Sequence, residues 1–317
     1  MANNIEFTPD QIESLMGVRD LRLDSSPFIS EQLYTLEAEV IEQAISPMDA
    51  MRILNVTDDL TPAKGESIYR RRTAAGKANF LEGNETELPT VDSSATKVTQ
   101  KNGLLGIGVP VSDIDQLTAQ ANGMDLLRDG MMDASTILWE KINETLLRGN
   151  TAHGLPGLFS DPNVKGGEVA AITSSTDPET AFNILYDLAN APGENSDGAY
   201  RATRLAIPAT VRNILAKMEY STGSNDTVLR RFFEVNENIS SNELVSSYNL
   251  EAGKFSDGRG RAIALDPSKI GARIMSPQVW KVVQMPLGVM VIYLARVSGV
   301  LVKHPLSART VKFKAAS

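Results

Sequence analysis

The residue types that usually carry chemistry are few in this chain and badly spaced for it. There are two histidines, His153 and His304. Neither has a second histidine at metal-ligand spacing, and no His-Glu-x-x-His occurs. Cysteine is absent, so disulfides and thiolate metal sites are excluded. No Gly-x-Ser-x-Gly turn is present to expose a serine nucleophile. Gly76-Lys77 has the ending of a phosphate loop, but Ala78 follows the lysine and Arg71 stands where the first glycine belongs. Gly103, Gly106 and Gly108 have the wrong spacing for a dinucleotide-binding turn and read as flexible strand ends. Carboxylates are plentiful, yet no pair is marked out by its surroundings as an acid and base. The run Arg70-Arg71-Arg72 has two readings, a phosphate contact or a solvated or subunit-facing strand. The chain's net charge of −8 argues against a dedicated nucleic-acid binder.

The elements that would position such residues belong to a large folded chain. It has 317 residues, 42% hydrophobic and 22% charged, enough for one large or two ordinary domains. Met1 to Asp10 is polar and acidic, so no secretory leader is expected there. The longest apolar candidate for a membrane span, Met285 to Val302, is broken by Pro286, Gly288, Arg296 and Gly299 and reads as strands. Charge is uneven along the chain. Residues 1–50 hold ten acidic and two basic groups, whereas residues 261–317 hold nine basic and one acidic. This is either ordinary solvated surface or an acidic N-terminal arm that lies on a basic part of a neighbouring subunit and sets its register.

Thr8-Pro9-Asp10-Gln11 reads as a helix start, and Gly17 as its end. A second helix is expected from Ser30 to Ser46. Leu33, Leu36, Val40, Ile41, Ala44 and Ile45 recur on one face, and Pro47 stops it. Strand-like content then appears at Glu66–Thr73 and Val91–Gly108, around a polar stretch, Ala74–Pro89. This is the pattern of a long two-stranded arm, which is marginal alone in water and makes sense lying across another subunit. The longest helical pattern starts at Ser112 or Asp113 and runs to Arg148, with Asn122-Gly123 as the place where it kinks or divides. Roughly 35 helical residues would span about 50 Å. A turn-rich connector, Gly154–Val164, leads into a mixed α/β segment. Its expected elements are a helix from Pro178 to Asn190, a glycine-rich loop Ala191–Tyr200, and a strand Arg204–Ile207. A helix opened by Pro208 runs to Lys217, a helix Thr227–Val235 follows, and then a buried strand Arg261–Leu265. The last 45 residues read mostly as strand.

This order of elements resembles the Hong Kong 97-type capsid fold. It is most similar to the encapsulin-like major capsid proteins of tailed phages, long described only as a domain of unknown function. The stretches that carry the resemblance are Gly76-Lys77-Ala78-Asn79-Phe80, Pro89-Thr90-Val91-Asp92, Trp139-Glu140-Lys141-Ile142-Asn143, Gly149-Asn150, Gly154-Leu155-Pro156-Gly157-Leu158 and Asp161-Pro162-Asn163-Val164. These are turn and packing signatures, and their joint order carries the weight. The layout covers nearly the whole chain, and the recognisable wording about residues 40 to 165.

The resemblance implies an α+β fold with an N-terminal arm (1–57), an extended β-hairpin loop (58–108), a peripheral domain with a long spine helix (109–164), an axial domain (165–275) and C-terminal strands returning to the peripheral domain (276–317), with the tail free to touch the axial one. It implies a structural protein, not an enzyme, that forms pentamers and hexamers of an icosahedral phage head around double-stranded DNA. Assembly would occur in the host cytoplasm, with no membrane and no cofactor or metal. Arg70, Arg71, Arg72, Lys77, Phe80, Leu33, Leu36 and Ile41 are the candidates for inter-subunit contact. With 57 residues ahead of the loop, a separate scaffold protein is expected, together with a portal and decoration proteins. One member of the fold cross-links a loop lysine to a neighbour's asparagine. Lys77 lies near the tip here, but nothing in the sequence supplies its partner, so noncovalent interfaces are expected to hold the shell. The alternatives are an encapsulin-type nanocompartment enclosing cargo enzymes and an α/β enzyme with carboxylate chemistry.

Overall fold

The computed structural model describes residues 47–76, 90–121, 125–221, 223 and 225–314, without the side chains of 71–74. All of them fall in one compact unit, residues 45–317. The expected helices at Thr8 and Ser30–Ser46, and the expected contacts Leu33, Leu36, Ile41, Lys77 and Phe80, lie outside the described residues.

A short helix, α1 (Asp49–Ile53), opens the described chain. It leads into β1 (Asn55–Asp58), and β2 (Glu66–Ala75) and β3 (Asp92–Ser112) then form the long arm. The two pair antiparallel without a bulge, from Glu66↔Lys101 to Ala75↔Asp92. The second half of β3 serves a different partner. Asn102–Ser112 pairs with β11 (Gly288–Ser298), which pairs in turn with β10 (Ile270–Met285), and β1 runs parallel to β10. The short strand β12 (Leu301–Val302) also pairs with β10. One sheet of order β1-β10-β11-β3-β2 therefore contains the arm.

The expected 35-residue helix is two helices, α2 (Asp113–Ala121) and α3 (Leu126–Arg148). The break has a local cause. The Asp125 side chain caps α3 by accepting from the Arg128 amide at 3.2 Å. Gln116 of α2 donates to the same carboxylate at 2.9 Å and accepts from the Leu127 amide at 3.2 Å. The Asp125 carboxyl is held below the ordinary carboxylate range, first by the Gln116 bond and then by the Arg128 amide. At about 1.5 Å per residue, the 23 residues of α3 span ~35 Å. Ala134, Leu138, Ile142 and Leu146 recur every fourth residue and are buried against the sheet. Gly130 lets α3 approach closely, since a Cβ there would lie 2.7 Å from a Val109 methyl.

Just past α3, β4 (Gly149–Asn150) and β5 (Leu155–Pro156) form a tight turn. Gly149 has φ of 81°, and a Cβ on Gly157 would overlap the Gly149 backbone. The two glycines in the quoted Gly149-Asn150 and Gly154–Leu158 stretches are thus steric requirements.

The remaining strands form a second sheet of order β6-β13-β9-β7-β8. They are β6 (Gly166–Val169), β7 (Arg204–Pro208), β8 (Leu244–Ser247), β9 (Arg261–Leu265) and β13 (Ala308–Phe313). On one face pack α4 (Pro178–Asn195), α5 (Ala209–Lys217) and α6 (Val228–Val235). Every residue of β9 is buried, and its side chains alternate between two cores. Ala262 and Ala264 meet the core with α4 and α6, while Ile263 and Leu265 meet the core that contains α3. The chain's end is divided between the sheets, with β10–β12 in the first and β13 in the second. Helix α4 runs on to Asn195, past the expected end at Asn190. Pro192 is buried within the helix, and the Ser196 hydroxyl donates to the Pro192 carbonyl at 2.6 Å, which satisfies one of the free carbonyls of the last turn.

Candidate functional site

Among the described residues, no three His, Asp or Glu side chains are grouped to hold a metal ion. No described helix is long and apolar enough to cross a membrane. His153 stands alone on a surface turn, and His304 stacks on Tyr200 with Nδ1 3.0 Å from its hydroxyl. Arg273 is the base of an ion pair with Asp59, its Nε donating at 2.6 Å. That bond holds the Asp59 carboxyl below the ordinary range and pushes the Arg273 guanidinium up. The pair ties the segment after β1 to β10.

Two buried polar side chains at the start of the described chain have structural partners of the same kind. Asp49 is 1% exposed, and its carboxylate accepts from the Ser247 hydroxyl and from Asn249 Nδ2 at 3.0 Å. Asn143 of α3 accepts the Ala50 amide at 2.9 Å. These bonds pin α1 between α3 and the second sheet. They carry no substrate chemistry.

What the molecule does present is surface. On the arm, Ile68 is 58% exposed and Val91 72% exposed. Arg70 and Lys97 are both exposed and stand directly opposite each other in the β2–β3 register. Like charges in that position repel, and neither has an ion-pair partner among the described residues. At the other end of the same strand, Ile114 and Leu117 of α2 are exposed, as are Trp280, Val282 and Leu287 on the β10–β11 hairpin. Isolated exposed apolar groups are ordinary, whereas several on neighbouring elements are a candidate interaction surface.

A family model described as major capsid protein matches residues 76–312. The chain belongs to the major capsid protein family. The structure agrees. The capsid of Myoviridae phage XM1 is similar with a TM-score of 0.74 at 16% identity, covering 92% of this chain and 100% of that one. A chain of Gordonia phage Cozz gives 0.60 at 16% identity, over 89% of this chain and 91% of that one. A chain of Mycobacterium phage Bobi gives 0.60 at 12%, over 98% and 100%. These likenesses show the Hong Kong 97-type fold. No curated protein matches the sequence. The major capsid protein is a structural subunit of the virion and not an enzyme.

Of the sequence candidates for contact, Arg70, Arg71 and Arg72 lie on β2, and Arg70 is exposed. The other five candidates, Leu33, Leu36, Ile41, Lys77 and Phe80, lie outside the described residues. Sequence reading missed Ile68, Lys97, Ile114 and Leu117. A signal existed for three of them: Ile68 shares a strand face with Arg70, two residues on, and Ile114 and Leu117 sit three apart on a helix. Which face is left uncovered is not written in that periodicity.

Proposed function

We propose that this major capsid protein assembles into hexamers and pentamers, and that these close an icosahedral head around double-stranded DNA. The observation that carries the reading is the arm. Ten consecutive cross-strand pairs lie beyond the part of β3 that pairs with β11, with an exposed apolar and basic face. An isolated two-stranded ribbon is marginal in water, so a sequence that builds one regularly needs a surface to lay it on. In a closed shell that surface belongs to another copy. The contacts assigned to Arg70, Arg71, Arg72, Lys77, Phe80, Leu33, Leu36 and Ile41 belong to this proposal. So does the division into arm, loop, peripheral and axial domains, and the two-sheet construction supports a boundary near residue 165. A scaffold protein, a portal and decoration proteins are the further partners, and assembly takes place in the host cytoplasm.

The test is sedimentation of the purified chain, alone and with its neighbouring gene products, with electron microscopy of the same sample. Closed megadalton particles that contain nuclease-protected double-stranded DNA after infection support the reading. Particles filled with protein cargo point to a nanocompartment. A small stable species that never forms rings or shells overturns it.

A further inference from the structure

Among the described basic side chains of the first sheet, Arg296 alone is buried, at 7% exposed. It lies within β11, level with Met275 of β10 on one side and Leu104 of β3 on the other. Ala295 and Val297, its neighbours in sequence, belong to the core that contains α3. Strand alternation therefore sends Arg296 to the opposite face of the sheet. There its Nε and Nη1 have no hydrogen-bond partner, and no carboxylate pairs with it among the described residues. Arg273 of β10 shows the ordinary arrangement, half-buried and paired with Asp59.

A guanidinium taken out of water without an acceptor is costly, and an apolar side chain of similar size would serve the subunit better. The site is also shallow. Gly65 lies over the guanidinium, since a Cβ there would stand 3.8 Å from Nη1. Gly65 and Leu104 are both exposed. The Gly65 carbonyl accepts from the Asn102 amide at 2.8 Å and the Lys64 carbonyl from Asn102 Nδ2 at 2.9 Å. Asn102 thus holds the Lys64–Gly65 turn in place and engages both of its carbonyls.

We propose that Arg296 and Gly65 form a carboxylate-binding site on the face of the first sheet opposite α3, filled from outside the chain. A carboxylate oxygen accepts from Nη1 on the side where Gly65 carries no side chain. A charge-assisted bond to a guanidinium is stronger than a neutral one and stronger still away from water. The carboxylate comes from a free organic acid or from an acidic side chain of a second copy. The second source rests on the self-assembly reading; the first does not.

The probe is sodium acetate, compared with sodium chloride at equal ionic strength, on the full chain as free subunit. Acetate is expected to raise the parent's melting temperature by at least about 2 °C over chloride. Arg296→Met removes an unpaired buried charge, so it is expected to melt at or above the parent in chloride and to lose the acetate-specific rise. Gly65→Ala keeps the guanidinium and narrows the approach to it. It is expected to melt near the parent and to lose the rise as well. Equal melting of the parent in acetate and chloride overturns the site, as does a rise that survives Arg296→Met. An Arg296→Met subunit that melts far below the parent also overturns it, because the guanidinium then has its partner within the chain. Sedimentation of particles separates the two sources. At least a tenfold loss of particles in both variants puts the carboxylate on a second copy, and parent yields make it a free acid. If the unaltered chain never assembles, the capsid reading fails while the acetate comparison still decides the site.

Discussion

Strand β9 and the β2–β3 arm are both β-structure, and they are stabilised in opposite ways. All five residues of β9 are buried, with alanines toward one core and Ile263 and Leu265 toward the other. Its apolar side chains are all covered within the chain. In the arm the backbone pairing is regular, but on one face Ile68, Arg70 and Lys97 are exposed and Arg70 faces Lys97. The first region is complete within one chain. The second leaves exposed apolar surface and facing like charges unmatched among the described residues. The difference separates what keeps the subunit folded from what joins it to others.

The sharpest way to break the comparison is to remove the arm's outer part. Deleting Ala74–Pro89 is expected to abolish particle formation while leaving the subunit's melting temperature within a few degrees, measured by sedimentation and calorimetry. Normal shells from that deletion would deny the arm its role. Damage to the completed region acts the other way. Phe232 is fully buried beside the second sheet, and Phe232→Ala is expected to cost about 3–5 kcal/mol of folding stability in denaturant titration. Asp49→Ala strips the acceptor from the Ser247 hydroxyl and Asn249, and is expected to cost roughly 2–3 kcal/mol.

The smallest effect is at the ion pair beside β1. Asp59 is depressed below its reference value of 3.8, so its contribution is present above about pH 4 and is lost as pH falls through the lower folded-state value. Arg273 is already charged across that range and adds no pH dependence of its own. Water reaches both groups, so Asp59→Asn is expected to cost only ~0.5–1 kcal/mol near neutrality and to flatten the acid limb of the stability curve.

Much of the layout was legible because it rests on local physics. The strand at Arg204, the helix after Pro208, the capped helix at Thr227 and the buried strand at Arg261 appear where turn, cap and apolar periodicity place them. Three short strands, β1, β6 and β8, were not legible. Four residues carry too little periodicity, and each is a strand only because a distant segment pairs with it, such as Gly271 to Ile274 for β1. The divided helix shows the same limit. Asn122-Gly123 marks the weak place, but the cap that starts a new helix uses Gln116 and Asp125 together.

The amino-acid sequence by itself determined the absence of cysteine chemistry, the long arm, the helical segment after it and the opposed charges along the chain. Those follow from residue type and short-range spacing, which every conformation of the chain carries. Only the tertiary structure decided that β3 serves two partners along its length, that β9 is shared between two cores, and which side chains were left uncovered at each end. Those depend on contacts between residues far apart in sequence, and burial exists only once such contacts form.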